Sequence, residues 1–122
     1  MSKKFKTAVI GSGLIANAAH LPAMQVLKDE YDVVAAADMR LSAAKETAER
    51  YGIPAYYEDT DQMLQEVKPD VVIVSTSNAG HQEASLKALR AGANVVCEKP
   101  VALKYADAVE LFNEARKNGV HF

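Results

Sequence analysis

Gly11-Ser12-Gly13-Leu14-Ile15-Ala16 follows a short apolar run and opens a helical stretch. This is G-x-G-x-x-G/A spacing in the strand–turn–helix setting that the motif requires. The chemistry comes from the main chain. Gly11 permits a tight turn. Gly13 has no β-carbon, so a pyrophosphate can approach the backbone, and Ala16 lets helix and strand pack closely. The backbone across Ser12, Leu14 and Ile15 then turns N–H groups and a helix dipole toward anionic phosphates. A purely structural glycine turn is the competing reading; the flanking elements favour a dinucleotide.

Asp38 ends the next apolar run. An acid there can accept hydrogen bonds from both hydroxyls of an adenosine ribose, which favours NAD, and it would repel a 2′-phosphate. Arg40, two residues on, could stack on adenine or meet a 2′-phosphate, which leaves NADP open. The bland alternative is an Asp that caps the turn into Ser42. Ser75-Thr76-Ser77-Asn78 follows the most apolar run, with His81 just beyond. Small polar residues at the carboxyl end of a buried strand can face a cofactor. Asn78 can cap a helix at the same time.

Glu98-Lys99-Pro100 closes a further apolar run. A lysine there could donate to a substrate oxygen or stabilise alkoxide character during hydride transfer. Glu98 could bind a ribose hydroxyl or pair with Lys99. Pro100 cannot donate to a sheet and marks a break. Taken without context, the triplet is also an ordinary surface loop. His20, His81 and His121 are scattered without metal-ligand spacing, so no metal is expected. Cys97 is the single cysteine; it lies in an apolar strand and reads as packing rather than nucleophile.

The elements that must position these residues alternate between apolar runs and helical patterns. Strands are predicted at Phe5–Ile10, Val33–Ala37, Tyr56–Tyr57, Val71–Val74 and Asn94–Cys97. Helices are predicted over 14–27, with Pro22 forcing a kink or break, and from a Ser42 cap to Gly52. Three more run from a Thr60 cap to Lys68-Pro69, over 78–91, and over 105–117. Leu111, Phe112 and Ala115 are expected to face inward, and Val120-His121-Phe122 to begin a further strand. The alternation predicts an α/β fold: a doubly wound, mostly parallel, Rossmann-like sheet with helices on both faces.

Composition excludes several classes. The chain has 122 residues, 49% hydrophobic and 25% charged, with a net charge of −2. That is one globular domain, neither disordered nor fibrous. No basic field draws it to nucleic acid or to anionic lipid. One cysteine precludes an internal disulfide and fits a reducing, cytoplasmic setting. The opening lysines, the stretch from Thr7 to Leu27 without a charged side chain, and Ala16-Asn17-Ala18 together imitate a secretory leader. Gly-Ser-Gly at its centre argues against that reading, and the polar, broken stretch argues against a membrane span. Burial under a ligand explains the missing charge better.

With these segments in hand, the chain resembles the N-terminal domain of the Gfo/Idh/MocA oxidoreductases, the glucose–fructose oxidoreductase and inositol dehydrogenase group. The resemblance runs through the glycine loop, His20-Leu21-Pro22-Ala23 and Asp38. Ser75-Thr76-Ser77-Asn78 with His81 is similar to the family's T-P-N-x-x-H segment. Leu89-Arg90-Ala91-Gly92 leading to Glu98-Lys99-Pro100 is similar to its A-G-x-x-V-x-x-E-K-P run. Ser77 departs from the family's proline.

The resemblance implies an NAD(P)-dependent oxidoreductase acting on a sugar, polyol or related hydroxy compound. Lys99 takes the position of the lysine that contacts the reacting oxygen. Glu98 takes that of the glutamate near the nicotinamide ribose, and the Lys99–Pro100 bond can be cis. It also implies a second, α+β substrate domain that this chain lacks, so residues 1–122 are expected to be a cofactor-binding fragment. Alone, that fragment is expected to bind NAD weakly, turn over nothing and self-associate. Two other readings share the glycine loop: a non-catalytic NAD-sensing or scaffolding module, and a methyltransferase. The E-K-P run weighs against the last.

Overall fold

Residues 3–122 are described by a computed structural model. Five strands form one parallel sheet: β1 (Phe5–Ile10), β2 (Tyr31–Ala37), β3 (Ala55–Tyr57), β4 (Val71–Val74) and β5 (Asn94–Cys97), in the order β3-β2-β1-β4-β5. The winding reverses between β1 and β4. In such sheets the crevice at that switch point, beyond the carboxyl ends of the strands, is where ligands bind.

Strand alternation builds two cores, one on each face. Ala8, Ile10, Ala35, Ala37, Val72 and Val74 point to one side. There they meet Met63 and Leu64 of α3 (Thr60–Val67), Leu89 of α4 (His81–Arg90) and Leu111 of α5 (Tyr105–Asn118). Val9, Ala36 and Ile73 point to the other side, against Leu21 of α1 (Leu21–Val26), Ala48 of α2 (Leu41–Tyr51) and Ile53. Each fully buried Leu or Met contributes about 1.5–3 kcal/mol. The alanines of β2 leave room for helices on both sides.

Several local expectations are corrected. The helical stretch over 14–26 continues through Pro22 without a break. A wide π turn at Ala16–His20 absorbs the proline, and Pro22 sits in the first turn of α1, where a missing N–H costs little. Ser42 caps nothing, because α2 starts one residue earlier with Arg40 at its N-cap. Asp59, not Thr60, caps α3, accepting from the amides of Asp61 and Gln62. Asn78 opens a single 3-10 turn (Asn78–Gly80) and makes no side-chain cap to α4. Phe112 is half exposed and meets Phe122 edge-on rather than turning inward. Val120–Phe122 forms no strand, although Val95 N–H donates to the His121 carbonyl at 2.9 Å. The Lys99–Pro100 bond is cis.

Candidate functional site

The glycine loop is fastened at the carboxyl end of β1 by its neighbours. Gly11 has φ +96°, and its N–H donates to the Ala37 carbonyl at 2.8 Å. A β-carbon on Gly11 would lie 2.4 Å from the Ser75 carbonyl oxygen. Ser75 Oγ donates to the Gly11 carbonyl at 2.9 Å. Ser12, itself buried, donates from Oγ to the Ala37 carbonyl at 3.2 Å. The loop is therefore held between β2 and β4.

Gly13 is different. A β-carbon there would meet nothing within 4 Å. The protein does not need glycine at this position for its own packing. The open space is what an approaching diphosphate would fill, so the loop fits that group. The side chains of Leu14 and Ile15 point outward, Leu14 at 86% exposure. The first amides of the helix they begin have no acceptor within it.

Asp38 sits at the end of β2 with its carboxylate turned toward the loop. Oδ2 accepts from Ser12 N–H at 2.9 Å and Oδ1 from Arg40 N–H at 2.8 Å. A carboxylate offers about four lone-pair sites, so two remain for ribose hydroxyls. The Arg40 side chain is exposed, its Nε 3.8 Å from Asp38 Oδ1. Between loop and α2 lies a cavity of about 350 Å³ bordered by Gly13, Asn17, Arg40 and Arg50.

The loop after β4 divides by burial. Ser75 is buried, Thr76 half-buried and Asn78 exposed. His81 is only 1% exposed. Its Nδ1 lies 2.6 Å from the Pro100 carbonyl and its Nε2 lies 3.1 Å from the Thr76 carbonyl. Carbonyls only accept, so both contacts are hydrogen bonds only when each ring nitrogen carries a proton. The ring ties the loop after β4 to the turn after β5 and lies beneath the crevice. Glu98 is half-buried, its N–H donating to the Val74 carbonyl at 3.0 Å, and Lys99 is exposed. Burial, foremost, pushes the Cys97 thiol up, and the Glu98 charge adds to this. Among the described residues no group of three His, Cys, Asp or Glu side chains is arranged to hold a metal.

Tertiary structure thus joins Gly11, Ser12, Asp38 and Ser75 in one bonded unit, and Thr76, His81 and Pro100 in another. Asn78 and Lys99 are exposed around them, and the exposed Arg40 is tied to Asp38. Sequence reasoning missed Asn17, which donates from Nδ2 to the Gly13 carbonyl at 2.8 Å and to Thr47 Oγ1 at 3.1 Å. It also missed Arg50, donating to Asn17 Oδ1 at 2.9 Å. The only signal was an amide inside an otherwise apolar helix, and Thr47 and Arg50 spaced i,i+3 on α2. A contact between His20 and Glu98, 78 residues apart, had no sequence signal.

Residues 5–122 match the family described as an oxidoreductase family with an NAD-binding Rossmann fold, GFO_IDH_MocA. The chain is 41% identical to D-glucoside 3-dehydrogenase of Escherichia coli over 118 residues, covering 97% of this chain and 33% of that protein. It is 32% identical to trans-1,2-dihydrobenzene-1,2-diol dehydrogenase of Bos taurus, covering 93% of this chain and 34% of that protein. Among solved structures, the WlbA dehydrogenase of Chromobacterium violaceum, in complex with NADH and UDP-GlcNAcA, superposes with a TM-score of 0.92 at 30% identity, covering 98% of this chain and 34% of that one. KijD10, a 3-ketoreductase of Actinomadura kijaniata in complex with NADP and TDP-benzene, superposes with a TM-score of 0.89 at 33% identity, covering 97% of this chain and 36% of that one. The chain spans about a third of the length of these relatives.

Proposed function

The chain belongs to the Gfo/Idh/MocA oxidoreductase family, and from that premise we propose that it is the cofactor-binding part of an NAD(P)-dependent dehydrogenase. The reaction is hydride transfer between nicotinamide and a sugar, polyol or related hydroxy compound. The observation that carries this is that the glycine loop after β1 and the Glu98-Lys99-Pro100 turn after β5 lie at the same carboxyl end of the sheet, with β4 between them. The dehydrogenase and ketoreductase names of the relatives support the substrate class.

When bound, the dinucleotide supplies a nicotinamide carbon able to accept or give a hydride. The chain's own residues do the rest. Backbone from Gly11 through Ser12, Gly13, Leu14 and Ile15 takes the diphosphate. Asp38 would accept from the adenosine ribose with its two spare lone pairs, and Arg40 would stack on the adenine or meet a 2′-phosphate. Ser75, Thr76 and Asn78 border the middle of the groove. His81 acts from beneath, as a positioning residue for Thr76 and Pro100. Glu98 accepts from the second ribose. The Lys99 ammonium donates to the substrate oxygen, which favours negative charge on that oxygen as the carbon changes oxidation state. Most substrate contacts belong to a second domain outside residues 1–122. A homo-oligomer and a reducing, cytoplasmic compartment complete the reading, consistent with a single half-buried cysteine.

The test has two parts. NADH and NADPH are titrated into the chain by nicotinamide fluorescence; saturable binding of at least one is expected, and binding of neither overturns the proposal. Lys99→Ala is then made in the longer protein. Turnover should fall by about 10²-fold or more with NADH affinity unchanged. A non-catalytic sensor would lose nothing.

A further inference from the structure

We propose that His20 is a positioning residue that aims Glu98 at the nicotinamide end of the groove, an inference that rests on the cofactor reading above. His20 Nε2 lies 2.7 Å from Glu98 Oε2. The two side chains are 19% and 28% exposed, so the pair is partly shielded from solvent and salt. A short bond to a carboxylate is stronger than one between neutral groups. It removes rotamer freedom that a glutamate on an exposed turn otherwise keeps. Because only Oε2 is engaged by the ring, Oε1 stays available to a ligand hydroxyl, at an orientation already chosen.

The wide turn before α1 makes this reach possible. Residues five apart in an α-helix lie about 140° apart around the axis, on different faces. Here Leu21 N–H donates to the Ala16 carbonyl. The widened turn brings both residues to the core side, where Ala16 is 0% and Leu21 1% exposed. His20 then emerges beside the core face and over the turn that follows β5. Such single π turns recur at functional sites because they re-aim one side chain without ending the helix. The helix that begins at the glycine loop, and so would follow the diphosphate, is thereby fastened to the residue that would meet the second ribose. His20 couples the two ends of the groove without touching the cofactor.

The experiment uses two probes on the chain as it stands: NADH, which spans the groove, and ADP, which reaches only the glycine-loop end. His20→Phe should weaken NADH about tenfold and leave ADP unchanged. His20→Gln, whose amide can still donate to Glu98, should recover most of the loss. Glu98→Gln leaves the sequence of the helix unaltered and should reproduce the NADH loss, and the double variant His20→Phe/Glu98→Gln should add nothing further. Unchanged NADH affinity in His20→Phe, an equal loss of ADP, or a double loss equal to the product of the single losses would each overturn the positioning role while leaving the cofactor reading intact. Binding of neither probe by the unaltered chain would sink both.

Discussion

At the scale of single residues, the two loop glycines have opposite reasons to be glycine. Gly11 is required by the protein, since its φ is +96° and a β-carbon would overlap the Ser75 carbonyl. Gly11→Ala should cost about 3 kcal/mol and lower the melting temperature by about 10 °C in a thermal melt. Gly13 is not required by the protein's own packing, since a β-carbon there would meet nothing within 4 Å. Gly13→Ala should melt within about 2 °C of the unaltered chain, yet bind NADH more than tenfold more weakly, because the new methyl group fills the space left for the diphosphate. Cys97 gives a third check. Its thiol is pushed up, so less thiolate is present at a given pH. Alkylation by iodoacetamide at pH 8, followed by mass spectrometry, should run slower than for a cysteine peptide and accelerate as pH rises beyond the ordinary thiol range. The glycine spacing was legible because a motif is a local pattern. Which glycine serves fold and which serves ligand was not, because the Ser75 carbonyl arrives from 64 residues away.

At the scale of elements, strand positions were legible because buried parallel strands read as unbroken apolar runs. The helix starts were not. Ser42 and Thr60 are the right residue types for caps, yet Arg40 and Asp59 hold the cap positions. A cap is decided by where the preceding strand releases the chain, and a slip of one or two residues is within the freedom of a short loop. Pro22 likewise signalled a disturbance without its form, since a π turn satisfies the same constraint as a kink. His81 operates at this scale too, linking the loop after β4 to the turn after β5. Replacing it with phenylalanine removes the ring nitrogens from the partly buried Thr76 and Pro100 carbonyls and should cost about 1–3 kcal/mol in urea unfolding, with partial recovery in His81→Gln.

For the whole molecule, β5 stands at the sheet edge with Val96 exposed, and α5 presents Tyr105, Val109 and Phe112. An edge strand beside exposed apolar side chains favours pairing with a second copy. Light scattering should register dimers or larger species as concentration rises, and a clean monomer at high concentration would count against this. The βα alternation by itself determined the fold class, and the glycine loop with the E-K-P run carried the family resemblance, because burial and turn chemistry are written along the chain. Only the tertiary structure decided that Asp38 accepts from Ser12, that His81 meets the Pro100 carbonyl, and that His20 reaches Glu98. Those pairings span 26, 19 and 78 residues. Contacts at such separations are set by strand order and sheet twist, and no local pattern encodes them.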